Sequence, residues 1–213
     1  YVYLSLGDRG NRNNAQNINN YEGSVIRVNL KDKMKNKNRF NKNWMPETYS
    51  IGHRNPQGLI TNPNDGTIWS HEHGPQGGDE INLLEGGKNY GWPEASYGEE
   101  YGGGKIGKYS IEGMVDPKWV WKPSIAPSGM AYYKGNMFPE LNDHLLIGSL
   151  KFQQIHAIKI LNHYPILERR LLSKPFGRIR DLEVMQDGSI LFLTDEEKDG
   201  VYKGGLYKIF KSK

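Results

Sequence analysis

The chain has 213 residues, 26 glycines, 11 prolines and no cysteine, which excludes a disulfide scaffold, a thiolate metal site and a cysteine nucleophile. Its net charge of +4 points toward nucleic acid. Much of that excess, however, lies in the run Lys31–Lys42, where Phe40 is the one aromatic residue, so the run reads as a solvated loop and no nucleic-acid partner is expected. No apolar stretch approaches the roughly 18 residues of a membrane span.

In chain order, Tyr1–Leu6 alternates large apolar with smaller residues and reads as a strand already under way, with no initiator methionine or leader ahead of it. Further strands are predicted at Ser24–Leu30, Gly58–Thr61, Thr67–Ser70, Glu80–Leu83, Gly129–Tyr133 and His144–Ser149. The series continues at Ile155–Ile160, Ile166–Leu171, Asp181–Met185, Ser189–Thr194 and Leu206–Phe210. Short strands separated by Gly- and Asn/Asp-rich turns, with 11% aromatic residues, make an all-β class. Pro63–Ser70 echoes Met185–Phe192, and Leu141–Ile147 is a looser copy; each is a tight turn feeding an apolar strand. The spacings suit a unit of roughly 40 residues, as in a propeller blade, although stacked sandwich hairpins give the same echo. Between these strands, Tyr97–Lys108 reads as a long exposed loop, either a lid or decoration.

Gly52–Pro93 is the stretch densest in Gly, Pro, His, Arg, Asn and acids, the composition of turns that hold a polar ligand on a β scaffold. Within it, the Gly74-Pro75 turn can aim carbonyl oxygens at a hard cation, whereas a plain turn capped by Asp79 and Glu80 is the blander and, on composition, favoured reading. His71 and His73 lack a third ligand at zinc spacing. Arg54-Asn55 is a polar pair ahead of a strand, with Asn55 held extended by the following proline. Further on, Arg178 and Arg180 share one face of a strand at roughly 6.5–7 Å. Two such charges repel by roughly 2 kcal/mol at an effective dielectric of about 20, unless a bridging anion or local acids such as Asp181 and Glu183 offset them. Lys151, just past a strand end, is placed to join them. No GxGxxG follows a strand and opens a helix, and no Walker or GxSxG pattern occurs. Glu99-Glu100 and Glu196-Glu197 read as solvated carboxylates, leaving a glycosidase or lectin as a distant reading.

Leu6-Gly-Asp-Arg-Gly10, GHRNPQGL, HEHGPQGGDEINLL, GGKNYGWP, Pro123–Met130, Gly148-Ser-Leu-Lys151, Gly177–Leu182 and Gly205–Ile209, in that order, resemble the soluble quinoprotein glucose/sorbosone or aldose sugar dehydrogenases. The resemblance implies a six-bladed β-propeller, of which residues 1–213 form the C-terminal three to four blades. It further implies pyrroloquinoline quinone (PQQ) beside a Ca²⁺ ion. The carbonyls of Gly74 and Pro75 would ligate Ca²⁺, and Lys151, Arg178 and Arg180 would hold the quinone carboxylates. Asn55 and Ser124 would be hydrogen-bonding neighbours, and Arg54 would face the quinone carbonyl and the sugar. The implied activity is oxidation of an aldose to its lactone, with electrons passed to an external acceptor, in the periplasm or outside the cell. The family's histidine base lies upstream of Gly-Asp-Arg-Gly, so His53, His71 and His73 are not candidates for it, and Gln76 stands where relatives are often basic. A part-propeller would expose strand edges and self-associate. The competing reading is a binding module similar to hedgehog-interacting proteins; the cationic set around Arg54, Lys151, Arg178 and Arg180 argues for the enzyme.

Overall fold

Alternating apolar residues and turn-forming glycines build fifteen strands and two short 3-10 turns among the residues described by the computed structural model, which are 1–31, 38–172 and 176–211. Part of the Lys31–Lys42 run therefore lies outside the described residues. The expected all-β class is observed. The chain divides into two units, Tyr1–Leu59 with Thr67–Ser124, and Ile60–Gly66 with Ile125–Lys213.

The first unit carries two four-stranded sheets. In one, β1 (Val2–Leu6), β2 (Ser24–Val28) and β3 (Thr48–Ile51) run antiparallel, and β7 (Lys88–Asn89) joins β3 in parallel. The other has the order β4 (Pro56–Thr61), β5 (Ile68–Glu72), β6 (Asp79–Leu84), β8 (Trp119–Trp121), with the last two residues of β4 grouped in the second unit. Proline opens β4, where its missing N–H costs the ladder nothing. Val25 and Tyr49 of one sheet meet Ile68 and Leu84 of the other in a buried cluster with Tyr90. The Tyr90 hydroxyl donates to Leu83 O at 2.7 Å and accepts from Glu85 N at 2.8 Å, and burial drives its pKa far above the usual phenol range.

The second unit is built from a meander, β9 (Pro127–Tyr133), β10 (His144–Ser149), β11 (Ile155–Leu161) and β12 (Tyr164–Leu171), and a three-stranded sheet, β13 (Arg178–Val184), β14 (Ile190–Lys198) and β15 (Val201–Ile209). Ala131, Tyr133, Leu146, Ile155 and Ala157 of the meander pack on Ile179, Leu182, Ile190 and Phe192 of the other sheet. All the predicted strands exist; the sequence reading missed β3, β7 and β8. The sequence echo acquires a structural meaning: its three copies are the turns that feed β5, β10 and β14, each the second strand of its sheet. Edge strands expose apolar side chains, Leu4 on β1 and Tyr164, Ile166 and Leu167 on β12.

Two buried histidines are expected to make this fold acid-sensitive. His144 Nδ1 donates to the Leu141 and Asn142 carbonyls, and His156 is paired with Glu168. Burial lowers both pKa values below the ordinary histidine value, in spite of those partners. The unfolded chain therefore binds more protons than the folded one between the folded values and about 6.5, so stability is present above that window and is lost as pH falls through it. The melting temperature is expected to drop between pH 7 and pH 5.5, with a shallower slope in His156→Gln. An identical slope in that variant would remove His156 from the account.

Candidate active site

In the first unit the site grows from the β3–β4 turn. Gly52 has φ +81, and a Cβ there would lie 2.2 Å from Asn89 Oδ1, so only glycine lets the chain turn this close to β7. The turn brings His53 inward and Arg54 outward. Glu72, at the end of β5, binds the turn from beneath. Its Oε1 accepts from His53 Nδ1 at 2.9 Å and Asn82 Nδ2 at 3.2 Å; its Oε2 accepts from the main-chain amides of Arg54 at 2.6 Å and Asn55 at 3.2 Å. His53 Nε2 meets Ser50 Oγ at 2.9 Å, and its ring stacks on Tyr90. A Ser–His–Glu chain of this kind suggests hydrolysis, but Ser50 and His53 are completely buried, so it serves to hold the turn.

Held in this way, the Arg54 guanidinium donates from Nη1 to the His73 carbonyl at 3.1 Å and the Gly74 carbonyl at 3.0 Å, and lies 5.4 Å from the Trp92 ring centroid. The Gly74-Pro75 turn is pinned by Asp79, whose Oδ1 accepts from Gly74 N at 2.9 Å and Ser124 Oγ at 2.8 Å. Asp79 thus plays the capping part that the blander sequence reading assigned to it. Glu80 does not: its carboxylate accepts from Asn82 Nδ2 at 2.9 Å. Burial first, then the neighbouring charge of Glu72, holds the Glu80 pKa well above the carboxylate range. Arg54, Gly74, Pro75, Glu80 and Trp92 surround a space of about 20 Å³, room for about one water. Asn55 Oδ1 accepts from Gln57 Nε2 at 3.0 Å.

The second unit carries the other three predicted residues. Arg178 clasps Asp195 with Nε and Nη2, both at 2.9 Å, and Arg180 reaches the same carboxylate at 2.8 Å through Nε. The partners expected from sequence, Asp181 and Glu183, are thereby corrected to Asp195. The cause is register. Arg178 sits directly across from Asp195 in the β13–β14 hairpin, and a bulge between Ile179 and Asp181 turns Arg180 toward that same group. Together the arginines lower the Asp195 pKa, the hydrogen bond from Arg180 being the largest cause. Lys151 follows β10 in a turn anchored by its amide on Ile125 O at 3.2 Å. Gly148, three residues earlier, leaves no room for a Cβ: the added atom would lie 2.8 Å from Ile179 Cγ2. Since Ile179 stands between the two arginines, this close approach sets the end of β10 beside the start of β13.

Over residues 1–203 the chain matches the family described as glucose/sorbosone dehydrogenase. The chain belongs to that family. It is 36% identical over 208 residues to the aldose sugar dehydrogenase YliI of Escherichia coli K12, covering 95% of this chain and 56% of that protein. A crystal structure of a glucose dehydrogenase superposes with TM-score 0.89 at 36% identity, over 99% of this chain and 61% of the other. The PQQ-bound aldose sugar dehydrogenase of Streptomyces coelicolor superposes with TM-score 0.72 at 25% identity, over 96% and 57%. The fold is accordingly the propeller type of these sugar dehydrogenases. The chain spans a little over half the length of these relatives. Sequence reasoning missed Glu72, Trp92 and Asp195. For Asp195 the available signal was the hairpin Arg178–Lys198, which pairs it with Arg178 once β13 is started early enough.

Proposed function

We propose that this chain contributes the quinone- and calcium-binding part of an enzyme that oxidises aldose sugars to lactones and passes the electrons to an external acceptor, outside the cytoplasm. The observation that carries this reading is the arginine pair on β13. Arg178 and Arg180 share the single carboxylate of Asp195, so this hydrogen-bonded trio keeps one positive charge, on planar donors suited to carboxylates. Lys151 adds a second cation from the neighbouring strand end. A polycarboxylate such as PQQ fits that surplus.

Calcium fits the donor chemistry of the Gly74-Pro75 turn, which offers main-chain oxygens. Arg54 uses one lone pair of the Gly74 carbonyl, and a carbonyl oxygen has two. When bound, the quinone supplies a hydride acceptor. In the first unit, Arg54 would stabilise negative charge arising beside the turn and Asn55 would donate a hydrogen bond; in the second, Lys151, Arg178 and Arg180 would orient carboxylates. Ser124 would act through Asp79, which its hydroxyl holds in the capping position.

Titration of the chain with PQQ in a calorimeter, with and without Ca²⁺, tests this. Saturable binding, tightened at least about tenfold by Ca²⁺, is expected, together with a higher melting temperature by mass action. No saturable binding in either condition would leave the binding-module reading in its place.

A further inference from the structure

The three turns of the sequence echo share more than the strands they feed. Each places a carboxamide just before an aspartate: Asn64-Asp65, Asn142-Asp143 and Gln186-Asp187. Asn64, Asn142 and Gln186 all line one open pocket of about 370 Å³, and Lys134 and Asn136 join them there. The pocket lies wholly in the second unit, because Asn64 belongs to the segment Ile60–Gly66 grouped with it. Beside it two turns meet as bare backbone: a Cβ on Gly135 would lie 3.1 Å from Gly188 Cα. Asn142 Oδ1 accepts from Gly135 N at 2.8 Å, which fixes that amide group and leaves its NH₂ to donate. Asn64 Nδ2 donates to Asp143 Oδ1 at 3.0 Å and to the Tyr132 hydroxyl at 3.2 Å, which leaves its oxygen to accept.

The lining selects the ligand. Among the described lining residues none carries an apolar side chain, so a ligand is held there by hydrogen bonds and charge. Both lining aspartates are already paired: Lys159 Nζ lies 3.3 Å from Asp143 Oδ2, and Lys208 Nζ lies 3.0 Å from Asp187 Oδ2. Lys134 is exposed and has no ion-pair partner among the described residues, so the pocket keeps one positive charge. Its volume falls within the roughly 300–1,000 Å³ of small-molecule sites. One ammonium beside four carboxamides, groups that both donate and accept, matches a carboxylate followed by a run of hydroxyls. We infer that this pocket binds a polyhydroxy monocarboxylate, with the carboxylate on Lys134 and the hydroxyls on Asn64, Asn136, Asn142 and Gln186. It is separate from the cations proposed for the quinone. Lys151 follows the other end of β10 and Arg178 opens β13, each about 20 Å away along its strand. The ligand class follows from the lining; only its place in a reaction sequence rests on the sugar-oxidising reading above, in which water would open the lactone to an aldonate of this class.

Proton–nitrogen NMR spectra of the chain, titrated with gluconate, glucose and acetate in the absence of quinone and metal, test the assignment. Gluconate is expected to shift the side-chain amide signals of Asn136, Asn142 and Gln186 saturably. Glucose lacks the charge and acetate lacks the hydroxyls, so each should bind at least about tenfold more weakly. In Lys134→Ala the preference for gluconate over glucose should vanish. Gln186→Ala should weaken gluconate yet keep that preference. Both side chains are exposed, and circular dichroism checks that each variant is folded. No saturable shift, acetate bound as tightly as gluconate, or gluconate binding unchanged in Lys134→Ala would each overturn the site. PQQ titration of the same preparations separates the failures: lost quinone binding counts against the oxidoreductase reading and leaves the pocket standing, whereas lost gluconate binding alone counts against the pocket.

Discussion

Replacing Arg178 and Arg180 together with alanine is expected to weaken PQQ binding by at least about a thousandfold. Truncating one partner of a hydrogen-bonded charge pair costs about 2–5 kcal/mol, and each factor of ten is about 1.4 kcal/mol. Here the loss is compounded, because Asp195 gives up both its partners and becomes a bare carboxylate facing an incoming polyanion. Either single variant should lose less, since the remaining arginine still neutralises Asp195. The double variant should therefore fall below the sum of the singles. Calorimetric titration of the four proteins measures this. Equal affinity in the unaltered chain and the double variant would detach β13 from quinone binding altogether.

The arginines were legible because they sit two apart in a strand-like run, and opposed cations on one face demand an explanation. Their partner was not. Asp195 lies in the next strand, and which acid faces Arg178 depends on the length of the turn at Asp187-Gly188 and on a bulge that no local pattern announces. The same limit explains the missed strands. β7 has two residues and pairs in parallel with β3, and β8 is the three-residue stretch Trp119–Trp121, both too short to show alternation. Strands that carry the sequence echo were found because a turn and an apolar run announce them together. In the first unit the motifs located Arg54, Gly74 and Pro75, yet gave no sign that Arg54 would donate to the Gly74 carbonyl, a contact created only where the β3–β4 turn meets the end of β5.

Glu72→Gln is expected to cost about 3–5 kcal/mol of stability, the range for breaking a buried charged contact by removing one partner. The argument rests on donors. Two main-chain amides point at Oε2, and the Asn82 amide and His53 Nδ1 meet Oε1, so both oxygens must act as acceptors. His53 then carries its proton on Nδ1, and Nε2 accepts from Ser50 Oγ. Glutamine keeps the shape but replaces one oxygen with an NH₂ group. With its NH₂ group at the Oε2 position two main-chain amides face a donor, and at the Oε1 position the Asn82 amide nitrogen does. The expected loss in melting temperature is on the order of 10 °C for a chain of this size. Arg54 should be released with the turn, so its hydrogen bond to Gly74 O and its contact with Trp92 loosen before the fold is lost. Thermal melts give the first quantity, and the fluorescence of Trp92 below the melt gives the second. A variant that melts within about 2 °C of the unaltered chain would show that the turn at Arg54 is held by something other than the Glu72 carboxylate.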